Sequence, residues 1–177
     1  MRYAVLLRGV NVGGRNKIAM TDLRRILADL GYGDVQTHLQ SGNGVFSSSR
    51  SADRLAAETA AAIAAGTGLR CAVMIRSGAE LAEIVAGHPL GREPDNPSRY
   101  FVAFLSGAPD RAAIARLSGQ DFGSDRAWVR GRHAYTWCPD GLTATRLNYA
   151  FLEKQLGVVA TARNWNTVRK LAELTAG

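Results

Sequence analysis

Short apolar runs and longer stretches of helical spacing alternate along the chain. Residues 3–7 form an apolar run that is typical of a buried strand. Apolar residues recur at helical spacing from Leu23 to Leu30, and Gly31 is typical of the left-handed residue that ends a helix. The same reasoning predicts strands at residues 35–39, 45–47 and 69–75, and helices at residues 55–65 and 81–86. The first half of the chain therefore alternates between strands and helices.

The order of these elements over residues 3–75 is β-α-β-β-α-β, the split β-α-β pattern of ferredoxin-like folds. A right-handed helical crossover makes the first two strands parallel. The loop after strand one and the hairpin after strand two are therefore expected at the same edge of the sheet.

The second half repeats this order in outline. It is predicted to contain strands at residues 100–105, 128–129 and 134–137, and helices at residues 111–117, 146–156 and 164–175. This gives a related β-α-β-β-α half that ends in a helix where the first half has a strand. Residues 88–98 contain three prolines and are predicted as a linker. The expected organisation is an α+β protein with one subdomain at residues 1–87 and a second at residues 99–177.

Composition agrees with a globular chain and adds a basic character. The 177 residues are 46% hydrophobic and 21% charged, which argues against disorder. Lys and Arg total 22 against 15 Asp and Glu, for a net charge of +7. Such a balance favours an anionic partner without identifying it.

Features of several other protein classes are missing from the sequence. Cys71 and Cys138 are too few and too far apart for a disulfide framework or a cysteine metal site. No segment approaches the roughly 20 apolar residues of a membrane span. No metal, cofactor or membrane partner is predicted, no known catalytic motif is present, and the expected location is the cytoplasm. Whether the chain is an enzyme, and its oligomeric state, are left open.

A glycine-rich loop follows the first strand and resembles the loops that cradle phosphate groups. Backbone N–H groups and a following helix N-terminus favour an anion there. The candidate residues of this loop are Arg8, Gly9, Asn11, Gly13, Gly14, Arg15 and Lys17. The P-loop and dinucleotide signatures are absent. A long turn with glycines at positive φ explains the same residues equally well.

Two further polar segments are candidates for the same site. Gln40, Ser41 and Asn43 lie in the hairpin, where ordinary turn chemistry is the competing explanation. Arg163, Asn164, Asn166 and Thr167 lie around Trp165 at the start of the last helix, where backbone donors are unpaired. A capped helix held by a buried tryptophan is the alternative there.

Four segments resemble the bacterial family known as domain of unknown function 1697. They are YAVLLRGVNVGG at residues 3–14, QSGN at 40–43, LEKQLG at 152–157 and TARNWNTVRKL at 161–171. The resemblance runs from the first strand to the last helix and implies a two-part α+β fold related to the ferredoxin-like topology. It implies no established activity, substrate or cofactor.

The leading hypothesis is a site for a small phosphorylated or carboxylated ligand. The loop and hairpin would form it, and the start of the last helix would dock against them. A nucleic-acid-binding basic face and an interaction scaffold without a small-molecule site are the alternatives. Ferredoxin-like sheets bind RNA through aromatic residues on their central strands, and Tyr3 and Phe46 alone would make a small platform.

Overall fold

The computed structural model describes residues 1–14 and 16–177 and divides into two compact units. Unit 1 comprises Met1–Ala86 together with Lys170–Gly177, and unit 2 comprises Gly87–Arg169. The predicted subdomains at residues 1–87 and 99–177, with a linker at residues 88–98, stay a prediction. No helix in the described part of the chain is long and apolar enough to cross a membrane.

Unit 1 contains one four-stranded sheet and three complete helices. The strands are β1 (Arg2–Leu7), β2 (Gly33–His38), β3 (Asn43–Ser47) and β4 (Val73–Ser77), and the helices are α1 (Met20–Asp29), α2 (Ala52–Thr67) and α3 (Gly78–Ala86). The strand order is β2-β3-β1-β4. Because β1 and β2 are each antiparallel to β3, they run parallel to each other, as the sequence predicts.

The core of unit 1 lies between its sheet and its helices. Val5 and Leu7 of the central strand β1 are fully buried in a cluster with Leu23 and Leu27 of α1 and Ile63 of α2. The intervening Ala4 and Leu6, on the other face of β1, are also fully buried. Burial of both faces explains why this strand is a continuous apolar run instead of an alternating one.

Unit 2 has the same topology as unit 1. Its strands are β5 (Tyr100–Leu105), β6 (Arg126–Arg130), β7 (His133–Trp137) and β8 (Ala160–Asn164). Its helices are α4 (Arg111–Ser118), α5 (Tyr149–Leu156) and the part of α6 (Trp165–Thr175) up to Arg169. The sheet order β6-β7-β5-β8 corresponds to that of unit 1. The α+β, ferredoxin-like fold class is therefore confirmed.

Strand β8 corrects the expectation that the second half has only a helix where the first half has a strand. Its sequence, Ala-Thr-Ala-Arg-Asn, holds a single β-branched residue and has little strand propensity of its own. Pairing with β5 places Ala162 opposite Ala103 and Arg163 opposite Val102. The strand is thus fixed by tertiary pairing, which local sequence does not reveal.

The two units also repeat at the level of individual residues. Arg76 is the fourth residue of β4 and pairs with Ala4, while Arg163 is the fourth residue of β8 and pairs with Val102. Both arginines are buried, with exposed fractions of 3% and 8%. The next residue in each case caps the helix that follows. Ser77 Oγ accepts from the Glu80 N–H at 3.2 Å, and Asn164 Oδ1 accepts from the Thr167 N–H at 3.0 Å.

Candidate functional site

The glycine-rich loop of unit 1 connects β1 to α1 and depends on left-handed backbone conformations. Gly9, Gly13 and Gly14 have φ values of 64°, 60° and 76°, and Asn11 has a φ of 56°. A Cβ atom added at Gly13 or Gly14 would meet nothing within 4 Å. The left-handed backbone conformation therefore favours glycine at these two positions. Crowding is not the reason, because the surrounding space is open.

Asn11 joins this loop to the hairpin between β2 and β3. Its Nδ2 group donates to the Ile18 carbonyl at 2.9 Å and to the Gln40 carbonyl at 2.6 Å. Its Oδ1 atom accepts from the Ile18 N–H at 2.9 Å. The structure thus brings the two loops together at one edge of the sheet. The Asn11 amide is fully engaged in building the site.

The hairpin is closed by its own buried groups. Asn43 is fully buried, and its Nδ2 group donates to the His38 carbonyl at 3.2 Å and to Ser41 Oγ at 2.9 Å. The Gly42 carbonyl accepts from the Leu7 N–H at 2.9 Å, which ties the turn to the end of β1. Ser41 and Asn43 therefore hold the shape of the turn.

A cavity of about 400 Å³ lies where the loop and hairpin meet. The described residues that line it are Asn11, Gly14, Lys17, Ile18, Ala19 and Gln40. Lys17 is the one charged side chain among them. Within the described part of the chain, the Lys17 ammonium and the Gln40 amide have no hydrogen-bond partner, and both residues are exposed. These two groups are available to a ligand, in contrast to the amides of Asn11 and Asn43.

The start of α1 contributes backbone donors beside the cavity. Ala19 occupies the N-cap position, and no side chain accepts from the first turn there. The N–H groups of that turn therefore lack a capping partner and carry partial positive charge. Asp22 also lies in this turn, with Oδ1 3.7 Å from a guanidinium nitrogen of Arg25. Its carboxylate offsets part of the positive potential.

The other predicted loop residues have different surroundings. Arg8 is half-buried, and its backbone N–H donates to the Ala72 carbonyl at 2.9 Å. The Gly9 carbonyl accepts from Asn16 Nδ2 at 3.2 Å. Arg15 lies outside the described residues. The structure thus gives Gly9 a part in closing the loop.

The third predicted segment belongs to unit 2. Arg163 is a residue of β8, and one of its guanidinium nitrogens donates to Thr161 Oγ1 and to the Ala162 carbonyl, both at 2.8 Å. Burial lowers the pKa of Arg163 to about 10. Thr167 is buried and Asn166 is exposed. The predicted docking of this segment on the loop stays a prediction.

Four residues near the cavity were not among the sequence candidates. Ile18 and Ala19 line it, and Val12 and Leu39 are exposed hydrophobic residues next to Asn11 and Gln40. Val12 could have been noticed as an apolar residue inside a glycine-rich loop. Leu39 has no such signal, because the strand predicted at residues 35–39 includes it.

The described lining of the cavity offers binding groups and no acid–base pair. It contains no carboxylate and no histidine. The described residues of the chain also contain no group of three or more His, Cys, Asp or Glu side chains that could hold a metal ion.

The sequence and the fold are each similar to those of known proteins. Residues 1–135 match the family described as "Protein of unknown function (DUF1697)". The chain belongs to the DUF1697 family. A solved structure with a similar fold is a conserved bacterial protein, SP0830, from Streptococcus pneumoniae. The two are 22% identical, with a TM-score of 0.77 over 99% of this chain and 98% of the other. No curated protein matches this DUF1697 chain.

Proposed function

We propose that this DUF1697 protein binds a small ligand with a phosphate or carboxylate group in the cavity of unit 1. The observation that carries the proposal is the convergence of Lys17, Gln40 and Gly14 on one cavity of about 400 Å³. Lys17 supplies the positive charge, and Gln40 supplies donors and an acceptor. The uncapped first turn of α1 adds backbone donors next to Ala19.

Around the cavity, the groups that hold the two loops together are different from the groups that would bind the ligand. Asn11 fixes the loop to the hairpin, and Asn43 and Gly42 fix the turn. Because these contacts hold the cavity in shape before a ligand arrives, the ligand need not order the two loops. This preorganisation supports binding of a small molecule.

We also propose a cytoplasmic location, since both cysteines are free thiols.

The alternative of nucleic-acid binding would need accessible aromatic residues or a broad basic face. In unit 2 the central strands carry Tyr100 and Tyr135, whose rings stack on each other with centroids 6.0 Å apart. Both residues are fully buried, so a base cannot reach them in this structure. The cavity of unit 1 is therefore the better-supported site.

Substitution of Lys17 by glutamine tests the proposal. We expect the affinity for inorganic phosphate, measured by isothermal titration calorimetry, to fall by about ten- to a hundredfold, because a charge-assisted hydrogen bond contributes about 1.5–3 kcal/mol. Lys154→Gln is the matched control, since it removes the same charge from an exposed lysine of α5 in unit 2. It should leave the phosphate affinity unchanged.

Two results would argue against the proposal. One is equal loss of phosphate affinity in the Lys17 and Lys154 variants, which would indicate a diffuse electrostatic effect. The other is tight binding of a short oligonucleotide whose log affinity falls with log salt by roughly 0.7–0.9 per phosphate contacted. That steep dependence would favour the nucleic-acid alternative.

A further inference from the structure

Two exposed hydrophobic residues, one in each loop, are sequence neighbours of residues that line the cavity. Val12 is 63% exposed and Leu39 is 57% exposed. Val12 follows Asn11 and Leu39 precedes Gln40, and the Asn11 side chain donates to the Gln40 carbonyl at 2.6 Å. Both apolar residues are therefore within one residue of the contact that joins the loops.

The backbone conformation of Leu39 is unfavourable for a leucine. Leu39 has a φ of 59°, in the left-handed region that costs a leucine about 1–2 kcal/mol relative to its usual conformations. Asparagine or glycine would fit that turn position better, and a polar residue would be better solvated there. The turn thus keeps a strained, exposed leucine directly before Gln40, which lines the cavity.

The cavity itself combines one cation with apolar surface. Its described lining includes Ile18 and Ala19, and Lys17 is the single charged side chain. Its volume of about 400 Å³ lies in the range that accommodates small organic ligands. One water molecule occupies about 30 Å³ in the liquid, so the cavity has room for several waters and therefore for more than a bare phosphate ion.

We infer that the ligand joins one anionic group to a compact apolar body, such as a ring or a short branched chain. The anionic group lies at Lys17 and Gln40, and the apolar body lies against Ala19 and extends toward Val12 and Leu39. This inference rests on the proposed function, because the anionic group occupies the same cavity. It adds that apolar contact, in addition to charge, selects the ligand.

Three probes separate the inference from the proposed function: inorganic phosphate, phenyl phosphate and benzyl alcohol. We expect phenyl phosphate to bind about tenfold more tightly than inorganic phosphate, equivalent to about 1.4 kcal/mol. Benzyl alcohol should bind most weakly, since it lacks the anionic group. Isothermal titration calorimetry on the full chain measures all three affinities.

The variant Leu39→Asn tests the role of the apolar rim. Because asparagine tolerates a left-handed φ, this variant should be at least as stable as the parent protein. We expect it to bind phenyl phosphate about threefold more weakly, from the lost apolar contact, and to bind inorganic phosphate equally well. Leu142→Asn is the matched control, since Leu142 is 48% exposed and belongs to unit 2.

The contrary outcomes distinguish failure of this inference from failure of the proposed function. Equal affinity for phenyl phosphate and inorganic phosphate would overturn the inference and leave the anion site intact. An unchanged phenyl phosphate affinity in Leu39→Asn, or an equal loss in Leu142→Asn, would likewise overturn it. Failure of both anions to bind, or binding of benzyl alcohol as tight as that of phenyl phosphate, would overturn the proposed function as well.

Discussion

Replacing Trp165 by alanine is expected to lower the free energy of unfolding by about 3–5 kcal/mol. Trp165 is the first residue of α6 and is fully buried. Its ring lies 5.0 Å from both the Tyr100 and His88 rings, measured between centroids, and its Nε1 group donates to Glu93 at 3.3 Å. The substitution would leave a large cavity between β5 and the start of α6.

Urea denaturation followed by circular dichroism measures this effect. The control is Trp128→Ala, since Trp128 is only partly buried on the edge strand β6. Its loss should cost about 1.5 kcal/mol or less. If the two tryptophan variants were equally stable, Trp165 would not be the residue that holds the start of α6.

Replacing Gly42 by alanine is expected to destabilise the protein by about 2–5 kcal/mol, from left-handed backbone strain and overpacking together. Gly42 has a φ of 74°. A Cβ atom there would clash with Val10 Cγ2 and would lie 2.9 Å from Leu7 Cβ. The hairpin would have to move away from the end of β1, and the cavity would change shape.

Gly68→Ala separates the two causes. Gly68 caps α2 with a φ of 71°, and a Cβ atom there would meet nothing within 4 Å. It should therefore show the backbone strain alone, about 1–2 kcal/mol. Both variants are compared by urea denaturation. Equal destabilisation by the two substitutions would mean that the close packing of Gly42 contributes nothing measurable.

Elements with a strong apolar pattern of their own could be predicted from the sequence. Strands whose limits depend on pairing with a neighbouring strand could be predicted only partly. Strand β5 was predicted with its observed bounds, Tyr100–Leu105, because it is a continuous apolar run. Strand β4 was expected at residues 69–75 but is Val73–Ser77, because its limits are set by the ladder with β1. Strand β8 was missed for the same reason, since pairing with β5 outweighs its weak local propensity.

The candidate site shows a similar division between local and long-range information. The sequence placed the loop and hairpin at one edge because crossover handedness fixes that relation. It could not distinguish Asn11, whose amide is consumed by Ile18 and Gln40, from Lys17, whose ammonium has no partner among the described residues. That distinction depends on where each side chain points. The exposure of Leu39 depends on the same information.

An NMR titration of the ¹⁵N-labelled protein with inorganic phosphate shows where the anion binds. We expect saturable shifts of the backbone amides of Gly13, Gly14, Lys17 and Gln40. We also expect the amides of exposed arginines in unit 2, such as Arg126 and Arg130, to stay in place. Shifts that spread over both units without saturating would contradict a discrete anion site in the cavity.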